Sequence, residues 1–288
     1  MSAPTQPRTP RPMRAGVLYS EAVAKLRFVH ELIEPRQGVR VTADVFDFYP
    51  CMVDRAPASI YINLRYAHEQ PPAGFDVQYT FAIQLRDRGS YGIGSADEAA
   101  VLDAFEEVAL PAAAARGLVF VGRLRHRGVW ELTFYGLPGA QGALETLERA
   151  SLAGRDVITR SQPDADWSYY RELLLPDTER LRWMDDRRLV QILGEQGDVL
   201  TRPRRIDHRA SFPSRAARDG FLADAACRGF AVDASHPETH EVAGAFVARV
   251  HRADPVELEH VHDVVMILVD IALARRGEYD GWTAAIES

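Results

Sequence analysis

Lysine is nearly absent from this chain: of 34 basic residues only Lys25 is a lysine, and the rest are arginine. We read this mainly as codon-composition bias. Cysteine is scarce too, with only Cys51 and Cys227 and no CxxC pair. That excludes a disulfide framework as the main stabiliser and a cysteine-ligated zinc, and it fits a reducing compartment. Long apolar runs are missing. The longest, Val264–Val269, is bounded by Asp263 and Asp270 and falls far short of the ~20 residues that span a bilayer. The opening MSAPTQPRTPRPMRAG lacks the apolar core of a secretory signal, so the expected location is the cytoplasm, with no membrane partner. Positive charge is not in surplus. The 34 basic and 41 acidic residues give a net charge of −7, which argues against the whole chain being a nucleic-acid binder. The G-x-S-x-G, HExxH, P-loop and dinucleotide-binding spacings are also lacking. No cofactor, metal site or catalytic group is expected, and the chain reads as non-enzymatic.

What is present is an ordinary globular composition: 47% hydrophobic, 9% aromatic and 26% charged over 288 residues. At ~100–200 residues per domain, that length suits two domains. Residues 1–14 hold four prolines and three arginines. They read as a solvated tail whose apolar content is too low to offset chain entropy. Residues 15–176 read as an α+β domain. A helix is expected over Ser20–Ile33, then strands over Val39–Tyr49, Ala58–Tyr66 and Phe75–Leu85, rich in Val, Ile, Tyr and Phe. Ser95 and Glu98 have capping-box spacing, before a helix with Val101, Leu102, Phe105 and Val108 on one face. Strands over Leu118–Leu124 and Val129–Tyr135 flank a turn at Arg127-Gly128. A helix near Ala140–Leu152 and a strand over Asp156–Ser161 complete the domain.

Residues 177–288 read as a second α+β domain. Leu189, Ile192 and Leu193 form a short helical face closed by Gly194 and Gly197. The strand Arg204–Phe212 alternates Ile206, His208, Ala210 and Phe212 against Arg205, Asp207, Arg209 and Ser211. A helix over Ser214–Arg228 stops at Gly229, and strands follow over Phe230–Asp233 and Glu241–His251. Asp254-Pro255 with Glu257 is expected to open the last helix. Its apolar stripe is Leu258, Val261, Val265, Leu268 and Ala272, and Gly277 ends it. A final strand covers Tyr279–Ile286. This order is the βαββαβ, ferredoxin-like arrangement.

Gly197-Asp198, Pro203-Arg204, Ile206, His208 and Phe212, followed by Tyr279-Asp280-Gly281-Trp282, resemble the regulator of ribonuclease activity B family over roughly Asp185–Ile286. The family comprises small cytoplasmic α+β proteins, and its best-known members bind and inhibit the endoribonuclease RNase E. The resemblance implies a protein-binding module that acts by surface occlusion. Tyr49, Val53-Asp54, Pro57-Ala58-Ser59-Ile60, Asn63-Leu64, Val121-Gly122-Arg123, Phe134-Tyr135, Trp167-x-x-Tyr170 and Leu175-Pro176 resemble the DUF695 family of unknown function. It occurs joined to the first family in bacterial proteins, and it implies no activity. Two alternatives stay open. One is binding of an unrelated protein through the DUF695-like domain, as an immunity-type or scaffold protein. The other is RNA binding through the Arg202–Arg209 strand.

The expected partner-binding residues are Arg204, Arg205, His208 and Arg209 on the first strand of the second domain, and Tyr279, Asp280 and Trp282 on its last. Arg202–Arg209 is the one dense basic stretch, but no aromatics are interleaved as in readers of single-stranded RNA. A solvated strand paired with neighbouring acids is the simpler reading. His208, on the apolar side of the alternation, reads as a core histidine. Trp282 is either an interface anchor or core; core is preferred, because tryptophan is highly buried on average. Asp280-Gly281 reads as turn or bulge chemistry. The loop Gly89–Ser95 precedes a helix, but Asp97 and Glu98 would repel a phosphate there, so it reads as a plain turn. His236/His240 and His260/His262 lack the geometry of a metal site and read as solvated.

Overall fold

The computed structural model describes residues 44–149, 154–233 and 246–287. The tail 1–14, the helix expected over Ser20–Ile33 and the His236/His240 pair lie outside them. The fold is α+β, in two domains.

The N-terminal domain begins with a hairpin, β1 (Phe46–Val53) and β2 (Ala56–Asn63). Its two-residue turn puts Asp54 and Arg55 at φ 46° and 64°, the left-handed pair that matches strand twist. Then come β3 (Val77–Gln84), α1 (Ala96–Ala114), β4 (Leu118–His126), β5 (Val129–Gly136), α2 (Gln141–Arg149) and β6 (Val157–Pro163). The expected turn between β4 and β5 is present at Arg127-Gly128. The six strands form one antiparallel sheet in the order β1-β2-β4-β5-β3-β6. One face packs under α1 and α2 through Phe81, Leu102, Phe105, Trp130, Leu132 and Leu144. The other packs Tyr49, Ile60, Ile62 and Tyr135 against Trp167, Tyr170 and Leu174, the last two in a π-helical turn over Tyr169–Leu174.

Helix α1 departs from expectation in two ways. Ser95 accepts a hydrogen bond from the Glu98 N–H, but the Glu98 carboxylate does not return it. It is buried, accepts from the Arg86 N–H and pairs with Arg155. Val101 and Val108 face solvent. The buried side is Leu102, Phe105, Glu106, Ala109 and Ala113. Glu106 sets that side: it accepts from Trp130 Nε1 at 2.5 Å and from Arg123 at 2.9 Å, and the Arg123 guanidinium lies 4.2 Å from the Trp130 ring centroid.

The C-terminal domain runs β7 (Arg204–Phe212), α4 (Arg215–Ala226), β8 (Ala231–Val232), β9 (Phe246–Asp254), α5 (Leu258–Ala274) and β10 (Glu278–Ala284), preceded by α3 (Thr178–Glu195). Its antiparallel sheet has the order β10-β7-β9-β8, the ferredoxin-like order. Phe221 and Ala225 of α4, with Val261, Val265, Leu268 and Ala272 of α5, pack on Ile206, Ala210, Phe212, Ala248 and Val250.

Helix α5 starts later than the Asp254-Pro255 pair suggests. Asp254 belongs to β9, opposite Arg204, and its carboxylate accepts from Arg252 and His260. The cap residue is Glu257. At the other end, Arg276 rather than Gly277 takes the left-handed turn, at φ 57°. Glycine is needed at 277 for space, since a Cβ there would lie 2.2 Å from the Phe212 ring.

Helix α3 is longer than the face at Leu189–Leu193 implied, because it serves both domains. Met184 is part of the N-terminal core beside Tyr49 and Leu174, with Leu181 and Trp183 packed against it. Val190 and Leu193, one turn and more further on, are part of the C-terminal core. Asp47 of β1, buried, accepts from Arg187 at 2.6 Å and Arg188 at 2.5 Å. The Arg187 guanidinium lies 4.4 Å from the Phe48 ring centroid, and Phe48 meets Trp183 edge-on at 6.0 Å. Arg182 donates to the Tyr279 carbonyl at 2.6 Å, which occupies part of the outer edge of β10.

Candidate functional site

The alternation along β7 is realised. Arg204, Ile206, His208, Ala210 and Phe212 are buried, while Arg205, Asp207, Arg209 and Ser211 point outward. The seven residues expected to meet a partner therefore divide between two sides of the sheet. Four are interior, and each has a structural partner.

Arg204 is 6% exposed and forms a two-pronged ion pair with Asp198, which the same contact holds below the usual carboxylate range. It also donates to the carbonyls of Val199 at 2.9 Å and Ala285 at 3.1 Å. Asp198 in turn accepts from the Glu287 N–H at 2.8 Å, so one guanidinium ties the approach to β7 to the segment that follows β10. His208 lies under Phe230 and 2.8 Å from the Tyr279 hydroxyl. Burial lowers the His208 pKa to about 4 and raises that of Tyr279 well above its ordinary value. Near neutrality the histidine is uncharged and the tyrosine keeps its proton. One hydrogen bond joins the tyrosine hydroxyl to Nδ1, while His208 Nε2, also buried, has no hydrogen-bond partner among the described residues. Trp282 is 5% exposed and donates from Nε1 to Asp186 of α3 at 2.8 Å; the other oxygen of Asp186 meets His262 Nδ1 at 2.8 Å. His262 is thus a positioned partner of Asp186 rather than a solvated residue, whereas His260, 44% exposed at its side chain, pairs with Asp254. Asp186 is the residue sequence reasoning missed. Its two partners lie 76 and 96 positions away, and no local pattern announces it.

Arg205 and Arg209 face outward, and Asp280 lies on their side of the sheet but is buried. Arg205 pairs with Asp207 at 2.6 Å and Asp233 at 3.3 Å. Asp280 is the extra residue of a bulge between Tyr279 and Gly281, as the Asp-Gly pair suggested. It accepts from Ser211 at 3.0 Å and lies 3.2 Å from Arg209 Nε, and burial raises its pKa. On the same face β9 places Arg249 opposite Arg209 and His251 opposite Asp207. The alternation of β9 carried that signal, but Arg249 and His251 were not singled out from sequence.

Residues 183–283 match the family described as regulator of ribonuclease activity B, and residues 44–175 match the family of unknown function DUF695. The chain joins these two domains. No curated protein matches it. The regulator family's motif acquires a physical meaning here: Asp198, Arg204, His208, Tyr279 and Trp282 make hydrogen bonds and ion pairs that hold the regulator domain's sheet, its flanking segments and α3 together. They form a scaffold, and the other side of the same strands carries the exposed or half-buried Arg205, Arg209 and Arg249.

The other candidates resolve simply. Asp87 accepts from the Gly89 N–H at 3.0 Å and Glu98 is committed to Arg155, so the glycine loop is a turn held by acids. Among the described residues no three His, Cys, Asp or Glu side chains gather as metal ligands, and no helix is long and apolar enough to cross a membrane. Burial raises the Cys51 thiol, while Cys227 is exposed.

Proposed function

We propose that this protein is a non-enzymatic regulator that acts in the cytoplasm by binding a ribonuclease of the RNase E type and covering a surface the enzyme needs. The observation that carries the reading is the family match over 183–283, which falls on a complete βαββαβ unit. The engagement of the polar motif residues with one another inside the domain supports recognition through the outward sheet face, which Arg205 and Arg209 reach while Asp280 stays buried beneath Arg209. The ion pairs of Arg202 with Glu287, Arg204 with Asp198, and Arg205 with Asp207 favour a protein over an RNA partner, because they already neutralise much of the basic stretch. The test is a cleavage assay: purified RNase E on a structured RNA, with increasing amounts of the full chain. Cleavage should fall to a plateau as the protein saturates the enzyme. Cleavage that stays constant at saturating protein would sink the reading.

A further inference from the structure

We propose that the outward face of β7 and β9, centred on Arg209 and Arg249, docks an acidic stretch of the protein partner; this deepens the regulator reading and rests on it. The two arginines stand directly opposite each other on neighbouring antiparallel strands. Like charges in such a pair repel and cost stability; Asp280 offsets this at Arg209, and an anion over Arg249 would offset it further. Arg249 is exposed and has no ion-pair partner among the described residues. Arg209 has Asp280 at 3.2 Å, yet its buried Nε makes no hydrogen bond. His251, two residues beyond Arg249 on the same face, has a buried Nδ1 that is also without a hydrogen-bond partner. At the other end of β7, Arg205 is held between Asp207 and Asp233. The unanswered charge is therefore that of Arg249, since Arg209 keeps its ion pair with Asp280. A carboxylate placed over Arg209 and Arg249 relieves their repulsion and accepts from both. Asp207, Asp280 and Glu278 border the pair on the same face. They repel a continuous polyanion such as RNA but leave room for a discrete aspartate or glutamate side chain.

The experiment uses the full chain and two fluorescent probes, a peptide with a single pair of glutamates between neutral residues and an oligouridylate of equal length, read by anisotropy at low salt. The peptide should bind wild type. Arg249→Glu should weaken that binding by roughly tenfold or more, Arg249→Lys should largely restore it, and Arg116→Glu, on the other domain, should leave it unchanged. The same Arg249→Glu variant should lose affinity for purified RNase E. Absence of peptide binding, equal binding by wild type and Arg249→Glu, or Arg249-dependent binding of the RNA alone would each overturn the proposal. If the peptide binds through Arg249 while wild type fails to bind RNase E, the docking face stands and the choice of ribonuclease falls.

Discussion

His208 shows how a single buried group shapes the domain's response to acid. An unfolded histidine titrates near 6.5, and burial lowers that of His208 to about 4. Between those values the unfolded chain binds more protons than the folded one, so stability rises with pH. The contribution is complete above the unfolded value and is lost as pH falls through the folded one. Urea denaturation across the range from about pH 7 to pH 4 should show His208→Gln with a shallower pH slope than wild type, the difference reaching at most about 1.4 kcal/mol per pH unit. Equal slopes would mean that the fold does not lower the histidine's pKa. The role of His208 was legible from the alternation of β7 alone. That of Asp186 was not, because its hydrogen bonds reach Trp282 and His262 on other elements. Trp282 could be assigned to the core from general burial tendencies, but its partner could not be named.

At the scale of elements, strands were the most readable, since alternation is local, although β1 runs past Tyr49 to Val53 and the strand expected over Ala58–Tyr66 gives way after Asn63 to a short 3-10 turn over Leu64–Ala67. The βαββαβ order followed from them. Helix faces were less readable where a polar residue sets the orientation. In α1 the apolar Val101 and Val108 point to solvent, and the charged Glu106 points inward, because Trp130 and Arg123 on the sheet below offer it hydrogen bonds. Glu106→Ala should therefore cost about 2–3 kcal/mol by leaving the Trp130 N–H and the Arg123 guanidinium without their shared acceptor. Glu106→Gln, which keeps an acceptor, should cost less. Chemical denaturation of both variants checks the order, and a cost for Glu106→Ala no larger than that of an exposed residue such as Glu107→Ala would contradict it. Helix α3 was only half legible for another reason: Leu181 and Met184 face one core and Val190 and Leu193 the other, so no single stripe describes it.

The whole molecule is organised around that shared helix. The DUF695 domain contributes Asp47, Phe48 and the pocket for Met184, and the regulator domain contributes the acceptor and donor groups around Arg182 and Asp186. Separating the domains would expose Met184 and Trp183 and leave Asp47 to find water in place of two guanidinium groups. The two domains should consequently unfold in one transition in wild type. In Asp47→Ala, calorimetry should show a broadened or split transition, with the overall stability reduced by about 2 kcal/mol after allowing for the partial exposure of both arginines. A single sharp transition at the wild-type temperature would show that the joint does not couple them.

Trp183 gives that joint an optical readout. Of the four tryptophans, Trp130, Trp167 and Trp282 are buried inside one domain or the other, while Trp183 is half-buried where the two meet, beside Phe48 and Arg187. The difference between the emission spectra of wild type and Trp183→Phe isolates the light from this one indole. Its wavelength shifts to the red when water reaches the ring, and its intensity responds to the guanidinium beside it. The protein thus carries an unlabelled gauge at its waist, which reports whether any event at one domain strains or leaves untouched its contact with the other.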